Sequence, residues 1–195
     1  MNCRLYLVSP TRLDHPAIFA DELRAACDGG DVAAFLLRLT DADEAAVTRA
    51  ADILRPVCQQ RDIAFFLSGR PDLALKLDTD GVEVGPELVA EARRVMGDSR
   101  QVGVACPASR HVAMEAAETG ADYVTFDATS LDLIEWWGGL FEVPCVASGE
   151  IQLATTKPLI AAGADFLAVR DAVWSSKEGP KEAVAAFNAL MSSNG

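Results

Sequence analysis

Apolar and polar positions along the chain alternate between two textures. Runs that are apolar at nearly every position occupy residues 5–9, 33–39, 63–67, 81–84, 101–105, 123–126, 144–148 and 166–169. Continuous apolarity without in–out alternation is the pattern of strands buried on both faces. Between these runs, apolar residues recur three and four apart. Val47, Ala50, Ala51, Leu54, Val57 and Cys58 line one helical face, and Asp41 or Asp43 can cap its start. Pro56 lies inside this stretch and is expected to kink or shorten it. A helix over 108–118 runs into Gly120, which suits a left-handed C-cap, and one over 153–162 ends the same way at Gly163. An amphipathic helix over 180–191 closes the pattern.

Strands alternating with helices at this spacing define β-α-β units and a parallel sheet. Eight strands are the count of a (β/α)8 TIM barrel, and 1–195 reads as a single compact barrel domain with short loops. The competing architecture, a doubly wound open sheet, typically needs only about five or six strands. No linker, charge run or low-complexity tract interrupts the pattern, and only 192–195 has the composition of a frayed tail.

Composition narrows the function classes. Half of the residues are hydrophobic and 24% are charged, a globular balance. No apolar run approaches the ~18–20 residues of a membrane span. The opening residues lead straight into a strand with no basic leader or cleavage site, so the cytoplasm is the expected compartment and a membrane is not an expected partner. A net charge of −12 without a basic stripe argues against nucleic acid, while a locally positive site for a small anion is still allowed. The five cysteines are odd in number and widely spaced, which argues against a disulfide framework or a zinc knuckle. Cys3, Cys27, Cys58 and Cys145 read as buried thiols, and Cys106 as a small packed one. His15 and His111 read as surface residues, and no protein-built metal site is expected. Trp136, Trp137 and Trp174 read as exposed, marking either an interface (and so a homo-oligomer) or a cover over the barrel rim.

In a parallel barrel the chemistry sits at the C-terminal strand ends, in the βα loops. Ser148-Gly149-Glu150 and Val169-Arg170-Asp171 follow strands seven and eight, where barrels commonly hold phosphate. Gly149 would admit a ligand to the backbone, with Ser148 beside it, and Arg170 could clamp a phosphate or instead pair with Asp171 or Glu150. Ser68 ends strand three. Arg38 ends an apolar strand and should face the mouth, either free for a phosphate or paired with Glu83 or another carboxylate. Glu83 interrupts a buried strand, and because an unpaired buried carboxylate is costly, it is either paired or functional. Asp127 at the end of strand six is a second candidate acid–base group, or a helix cap.

Read in order, these segments resemble the thiamine-phosphate synthase and thiazole tautomerase superfamily, as a diverged member. The resemblance is carried by Leu5-Tyr6-Leu7-Val8-Ser9, by Gly30-Asp31-Val32 through Leu37-Arg38, and by Asp80-Gly81-Val82-Glu83-Val84-Gly85. It continues through Gly103-Val104-Ala105, Gly120-Ala121-Asp122-Tyr123-Val124 and Gly163-Ala164-Asp165. It implies a barrel that joins a pyrimidine diphosphate to a thiazole phosphate and releases pyrophosphate with magnesium help. Several of the family's functional positions differ here. Of the strand-two Gln-x-Arg-x-Lys cluster only Arg38 is present, with Leu36 and Thr40 beside it. The magnesium-binding Asn-Asp pair is Ser68-Gly69, and the second magnesium segment reads Gly85-Pro86-Glu87-Leu88. The strand-five Ser-x-His-Ser is Ala105-Cys106-Pro107-Ala108, and the final Gly-Gly and Val-Ser pairs are Gly149-Glu150 and Arg170-Asp171.

Three readings follow. One is a thiamine-biosynthesis barrel, a transferase if active, binding a phosphorylated small molecule through Arg38, Ser68, Ser148, Gly149 and Arg170. On this reading magnesium is expected only if the family chemistry is retained. Another is a non-catalytic binding or regulatory barrel. The third is a different small-molecule lyase or isomerase using Glu83 and Asp127 as its carboxylates.

Overall fold

The computed structural model describes residues 3–192. Eight strands, β1 (Arg4–Val8), β2 (Ala34–Leu37), β3 (Ala64–Ser68), β4 (Gly81–Val84), β5 (Gln101–Ala105), β6 (Tyr123–Asp127), β7 (Cys145–Ser148) and β8 (Phe166–Val169), pair in parallel in chain order. β8 returns to β1, so the sheet closes into the expected (β/α)8 barrel. The helices between them are α1 (Pro16–Cys27), α2 (Glu44–Gln59), α3 (Pro71–Lys76), α4 (Val89–Met96), α5 (Arg110–Thr119), α6 (Leu131–Gly138) and α7 (Leu153–Ala161). α8 (Asp171–Trp174) and α9 (Pro180–Ser192) follow the last strand, and α9 packs against α1 and α7.

The strands divide the apolar residues by parity, because successive side chains point to opposite faces. Leu5, Leu7, Phe35, Leu37, Phe65, Leu67, Val102, Val104, Leu167 and Val169 face outward into the large core beneath the helices. Tyr6, Val8, Ala34, Leu36, Phe66, Tyr123, Val146 and Ala168 face inward and fill the barrel. Side chains on both faces are buried, which is why the strands read as unbroken apolar runs. The same parity carries upward along each strand and turns Arg38, Ser68, Glu83, Asp127, Ser148 and Arg170 inward, toward the C-terminal mouth.

At the opposite end an aspartate recurs just before alternate strands. Asp80 accepts a hydrogen bond from the backbone of Phe65 at 2.7 Å, Asp122 from Val102 at 2.7 Å and Asp165 from Cys145 at 2.9 Å. Each ties an even strand to the odd strand before it. Asp31, ahead of β2, instead grips Arg4 of β1 at 2.7 Å.

Local expectations are met in part. Asp43, not Asp41, caps α2 by accepting from the Ala46 N–H at 2.7 Å. Gly120 is the left-handed C-cap of α5, with φ at 108°. The expected shortening at Pro56 does not occur, since α2 runs on to Gln59. Pro56 and Asp52 are both exposed, so water can solvate the carbonyl that proline leaves unbonded. The expected exposure of all three tryptophans is also corrected. Trp137 is fully buried, stacks on Phe141 with ring centres 4.1 Å apart, and donates to the Val143 carbonyl at 2.7 Å. Trp174 is half-buried and donates to the Val8 carbonyl at 2.6 Å, covering the rim, and Trp136 lies half-buried beneath the Arg110 guanidinium.

Candidate functional site

The mouth is organised around one buried carboxylate. Glu83 on β4 is 4% exposed and receives donors from two other strands. Arg38, just beyond β2, donates from Nη2 to Glu83 Oε1 at 2.5 Å. Thr125 and Tyr123 on β6 donate to Oε2 at 3.0 and 3.4 Å. The Tyr6 hydroxyl lies 3.0 Å from that of Tyr123 and completes a chain along the barrel axis. Burial, reinforced by the nearby charge of Glu83, pushes both tyrosine hydroxyls well above their usual range, so they remain protonated donors. Gly103 makes this arrangement fit, because a side chain there would come within 2.0 Å of the Tyr123 ring.

Arg38 is fixed at both its side chain and its backbone. Ser9 Oγ at the end of β1 accepts from the Arg38 N–H at 2.9 Å and donates to its carbonyl at 3.2 Å. The Arg38 side chain is 33% exposed, so part of the guanidinium reaches the open mouth. Ser68 stands beside Glu83 in register, and the Gly69 N–H donates to the Glu83 carbonyl at 2.7 Å.

A second group forms at the ends of β6, β7 and β8. Asp127 pairs in register with Ser148 and accepts from the Thr129 N–H at 2.8 Å and hydroxyl at 2.5 Å. These bonds hold its carboxyl below the usual carboxylate range. The alternative capping role is not taken, since Ser130 occupies the N-cap of α6. Gly149 adopts φ 121°, and the space a side chain would take there opens 3.6 Å from Asp127 Oδ2. Arg170 forms a two-point contact with Asp171 at 3.0 and 2.9 Å, which raises its pKa further, and Glu150 adds a second nearby negative charge.

The fold therefore brings all the sequence-selected residues to one end of the barrel, in two subclusters. Arg38, Ser68 and Glu83 form one, and Asp127, Ser148, Gly149 and Arg170 the other. Glu83 and Asp127 are engaged by different partners, with Thr125 taking Glu83 and Thr129 taking Asp127. Sequence reading gave no site role to Ser9, Thr125, Tyr6 or Tyr123. Tyr6, Tyr123 and Thr125 were legible as polar groups on the inward parity of otherwise apolar strands, one strand step from positions already noted.

Other candidate groups fall away from the mouth chemistry. Cys106 is buried, which pushes its thiol up to about 11, so it is not an activated nucleophile. His15 and His111 are exposed, the latter beside Glu115 at 3.3 Å. Among the described residues no group of three or more His, Cys, Asp or Glu side chains is placed to hold a metal ion. No helix among them is long and apolar enough to cross a membrane.

A closed parallel barrel with its polar residues gathered at the C-terminal strand ends is the architecture of a large class of phosphate-handling enzymes. Comparison with known proteins narrows the class. The family model described as thiamine monophosphate synthase matches residues 5–173. A thiamine-phosphate synthase of Rhodospirillum centenum is 50% identical, over 97% of this chain and 98% of its own. One of Erythrobacter litoralis is 43% identical over 94% and 93%. The solved thiamine phosphate pyrophosphorylase from Pyrococcus furiosus superposes with a TM-score of 0.86 at 25% identity, covering 98% of this chain and 96% of that one. The chain belongs to the thiamine monophosphate synthase family.

Proposed function

We propose that this barrel serves thiamine biosynthesis by binding a phosphorylated small molecule of that pathway in its C-terminal mouth, without efficient synthase turnover. Arg38 carries the reading. It is the one cation of the family's strand-two cluster present here, it is anchored from below by Glu83 and from behind by Ser9, and a third of it is open to the mouth. The free edge of its guanidinium would meet the phosphate, with the Ser68 and Ser148 hydroxyls and the open backbone at Gly149 as further contacts and Arg170 at the rim.

The donor set for the family's magnesium is reduced here. The positions that would supply its carboxylates are Ser68-Gly69 and Pro86-Glu87, and Glu87 is exposed on the turn at Pro86–Leu88. Glu87, whose carboxylate folds back against Gly85 at the end of β4, is the single carboxylate at these positions, and one carboxylate with hydroxyls and backbone is a weaker set than a pair for a small hard dication that favours oxygen anions. A departing pyrophosphate would then develop its charge beside Glu83 and Asp127, with only Arg38 aimed at it. Loss of a single stabilising donor of that kind typically costs about 10²–10³ in rate.

Near-complete alignment with proteins named synthases supports the competing reading of retained turnover. Two measurements on the same preparation decide. Calorimetry with thiamine phosphate should give saturable binding that Arg38→Ala weakens by about tenfold or more. Incubation with the pyrimidine diphosphate, the thiazole phosphate and magnesium should yield no thiamine phosphate beside an active control synthase. Turnover comparable to the control would overturn the binding reading, and absence of thiamine phosphate binding would remove the ligand class.

A further inference from the structure

Apolar packing alone calls for phenylalanine inside the barrel, as Phe66 shows, yet Tyr6 and Tyr123 stand beside it. The three rings meet at a tilt or edge to face, with centres 5.7–6.1 Å apart. Both tyrosine hydroxyls are buried, and a buried hydroxyl is costly unless it is paired. Their pairing runs in one direction. The Glu83 carboxylate, opposite Arg38, only accepts, so the Tyr123 hydrogen goes to Oε2 at 3.4 Å and the Tyr6 hydrogen to the Tyr123 oxygen at 3.0 Å. Thr125 adds a second donor to Oε2 at 3.0 Å, and Arg38 takes Oε1 at 2.5 Å. The chain therefore starts on β1, passes through β6 and β4, and ends just beyond β2 at a guanidinium that is part of the mouth.

We propose that Tyr123, backed by Tyr6, is a positioning residue for the mouth: by fixing the Glu83 carboxylate from inside the barrel, its hydroxyl fixes the edge of Arg38 that meets the ligand. The inference rests on the preceding reading that Arg38 holds a phosphorylated molecule, and it deepens that reading with residues placed below the ligand. A long arginine side chain is ordered at a cost when it binds, and that cost falls when its inner edge is already bonded. Ser9 holds the Arg38 backbone, so the side chain takes its direction from Glu83. Glu83 is itself a flexible side chain, and its other oxygen is held by Tyr123 and Thr125. Tyr123 can do this because its ring is wedged over Gly103, where a side chain would come within 2.0 Å of it. The hydroxyl is neutral, so removing it leaves the charges of Arg38 and Glu83 as they are and alters only how they are held.

The test compares the wild type, Tyr123→Phe, Arg38→Ala and the double variant at a temperature where unfolding curves show all four folded. Phenylalanine keeps the ring and removes the oxygen, so some loss of midpoint is expected from the Tyr6 hydroxyl it leaves unpaired. In the free protein, NMR relaxation of the Arg38 side-chain nitrogen, assigned by its loss in Arg38→Ala, should report a rigid group in the wild type and fast motion in Tyr123→Phe. Calorimetry with thiamine phosphate should show Tyr123→Phe binding about fivefold more weakly than the wild type. In the Arg38→Ala background the same substitution should change nothing. A rigid Arg38 in Tyr123→Phe, an undiminished affinity, or an equal loss with and without Arg38 would overturn the proposal. A hydroxyl that served only the fold would give one of the last two. Should Tyr123→Phe not fold, Tyr6→Phe removes the link behind it, and an Arg38 as rigid there as in the wild type overturns the proposal. Failure of the underlying reading looks different: the wild type would then not bind thiamine phosphate, while the motion of Arg38 in the free protein still decides whether the chain positions it.

Discussion

A charged residue inside an apolar strand is tolerated only when its partners are built around it, and Glu83 shows how completely that can be done. Arginine, threonine and tyrosine donors occupy both of its oxygens, and a second tyrosine backs the first. Removing one partner is then worse than softening the carboxylate itself. Arg38→Ala is expected to leave a nearly buried anion without its counter-charge and to destabilise the protein by about 2–4 kcal/mol, toward the lower side for a buried pair because Arg38 is partly exposed. Glu83→Gln should cost less than half of that in the same urea titration. An Arg38→Ala loss no larger than the Glu83→Gln loss would mean that the pair contributes little to folding. Sequence reading posed this pairing as one of two alternatives and could not choose, because parity turns both residues inward but does not say how near β2 and β4 come across the barrel. It reached Arg170 in the same way, leaving open a phosphate contact or a pair with Asp171. The adjacent carboxylate forms the contact in the absence of ligand.

The elements were more legible than the site, for a physical reason. Strand and helix periods are properties of contiguous residues, so the eight strands could be counted and their closure anticipated from that number. Strand ends were less readable: β2 stops at Leu37, and the expected 33–39 run overreaches because Arg38 and Leu39 are apolar or long-stemmed without being paired in the sheet. The aspartates at the N-terminal end of the barrel were read only as part of family-like Asp-Gly-Val and Gly-Ala-Asp patterns. Their work is to accept the N–H of the preceding strand, which no local pattern reveals. Asp165 and Cys145 bond in both directions, with the Cys145 N–H donating to the carboxylate at 2.9 Å and the Asp165 N–H to the Cys145 carbonyl at 3.0 Å. Asp165→Ala is expected to orphan a buried backbone donor and to cost about 1–3 kcal/mol. Asp165→Asn, which retains an accepting oxygen, should recover most of that loss in thermal or urea unfolding. If the asparagine variant were as unstable as the alanine one, charge and not the strand clamp would be the source.

At the scale of the whole molecule, the pH range of stability follows from which ionisable groups the fold holds neutral and which it holds charged. On the acid side Asp31, bonded by Arg4, and Asp127, bonded by Thr129, have carboxyls lowered in the fold. Their contribution is present above the ordinary carboxylate range and is lost as pH falls through it toward the lowered folded values. Asp31 is exposed and Asp127 partly exposed, so screening keeps this loss small. The alkaline side is governed by burial. Desolvation raises Cys3 and Cys145 to about 12 and Cys27 and Cys106 to about 11, and it raises Cys58 as well. A thiol whose folded pKa is raised stabilises the fold fully below its unfolded value, near 8.5, and loses that contribution as pH climbs toward the folded value. Between those limits the unfolded chain ionises while the native chain does not, and each such thiol removes up to about 1.4 kcal/mol per pH unit. The urea midpoint should therefore be nearly level from about pH 6 to 8 and fall steeply above about pH 9. Cys145→Ala would start from a lower midpoint, because it opens a small void, yet lose less between pH 8 and pH 10 than the parent. A parent midpoint unchanged across that interval, or an equal drop in the alanine variant, would show that the buried thiols do not set the alkaline limit.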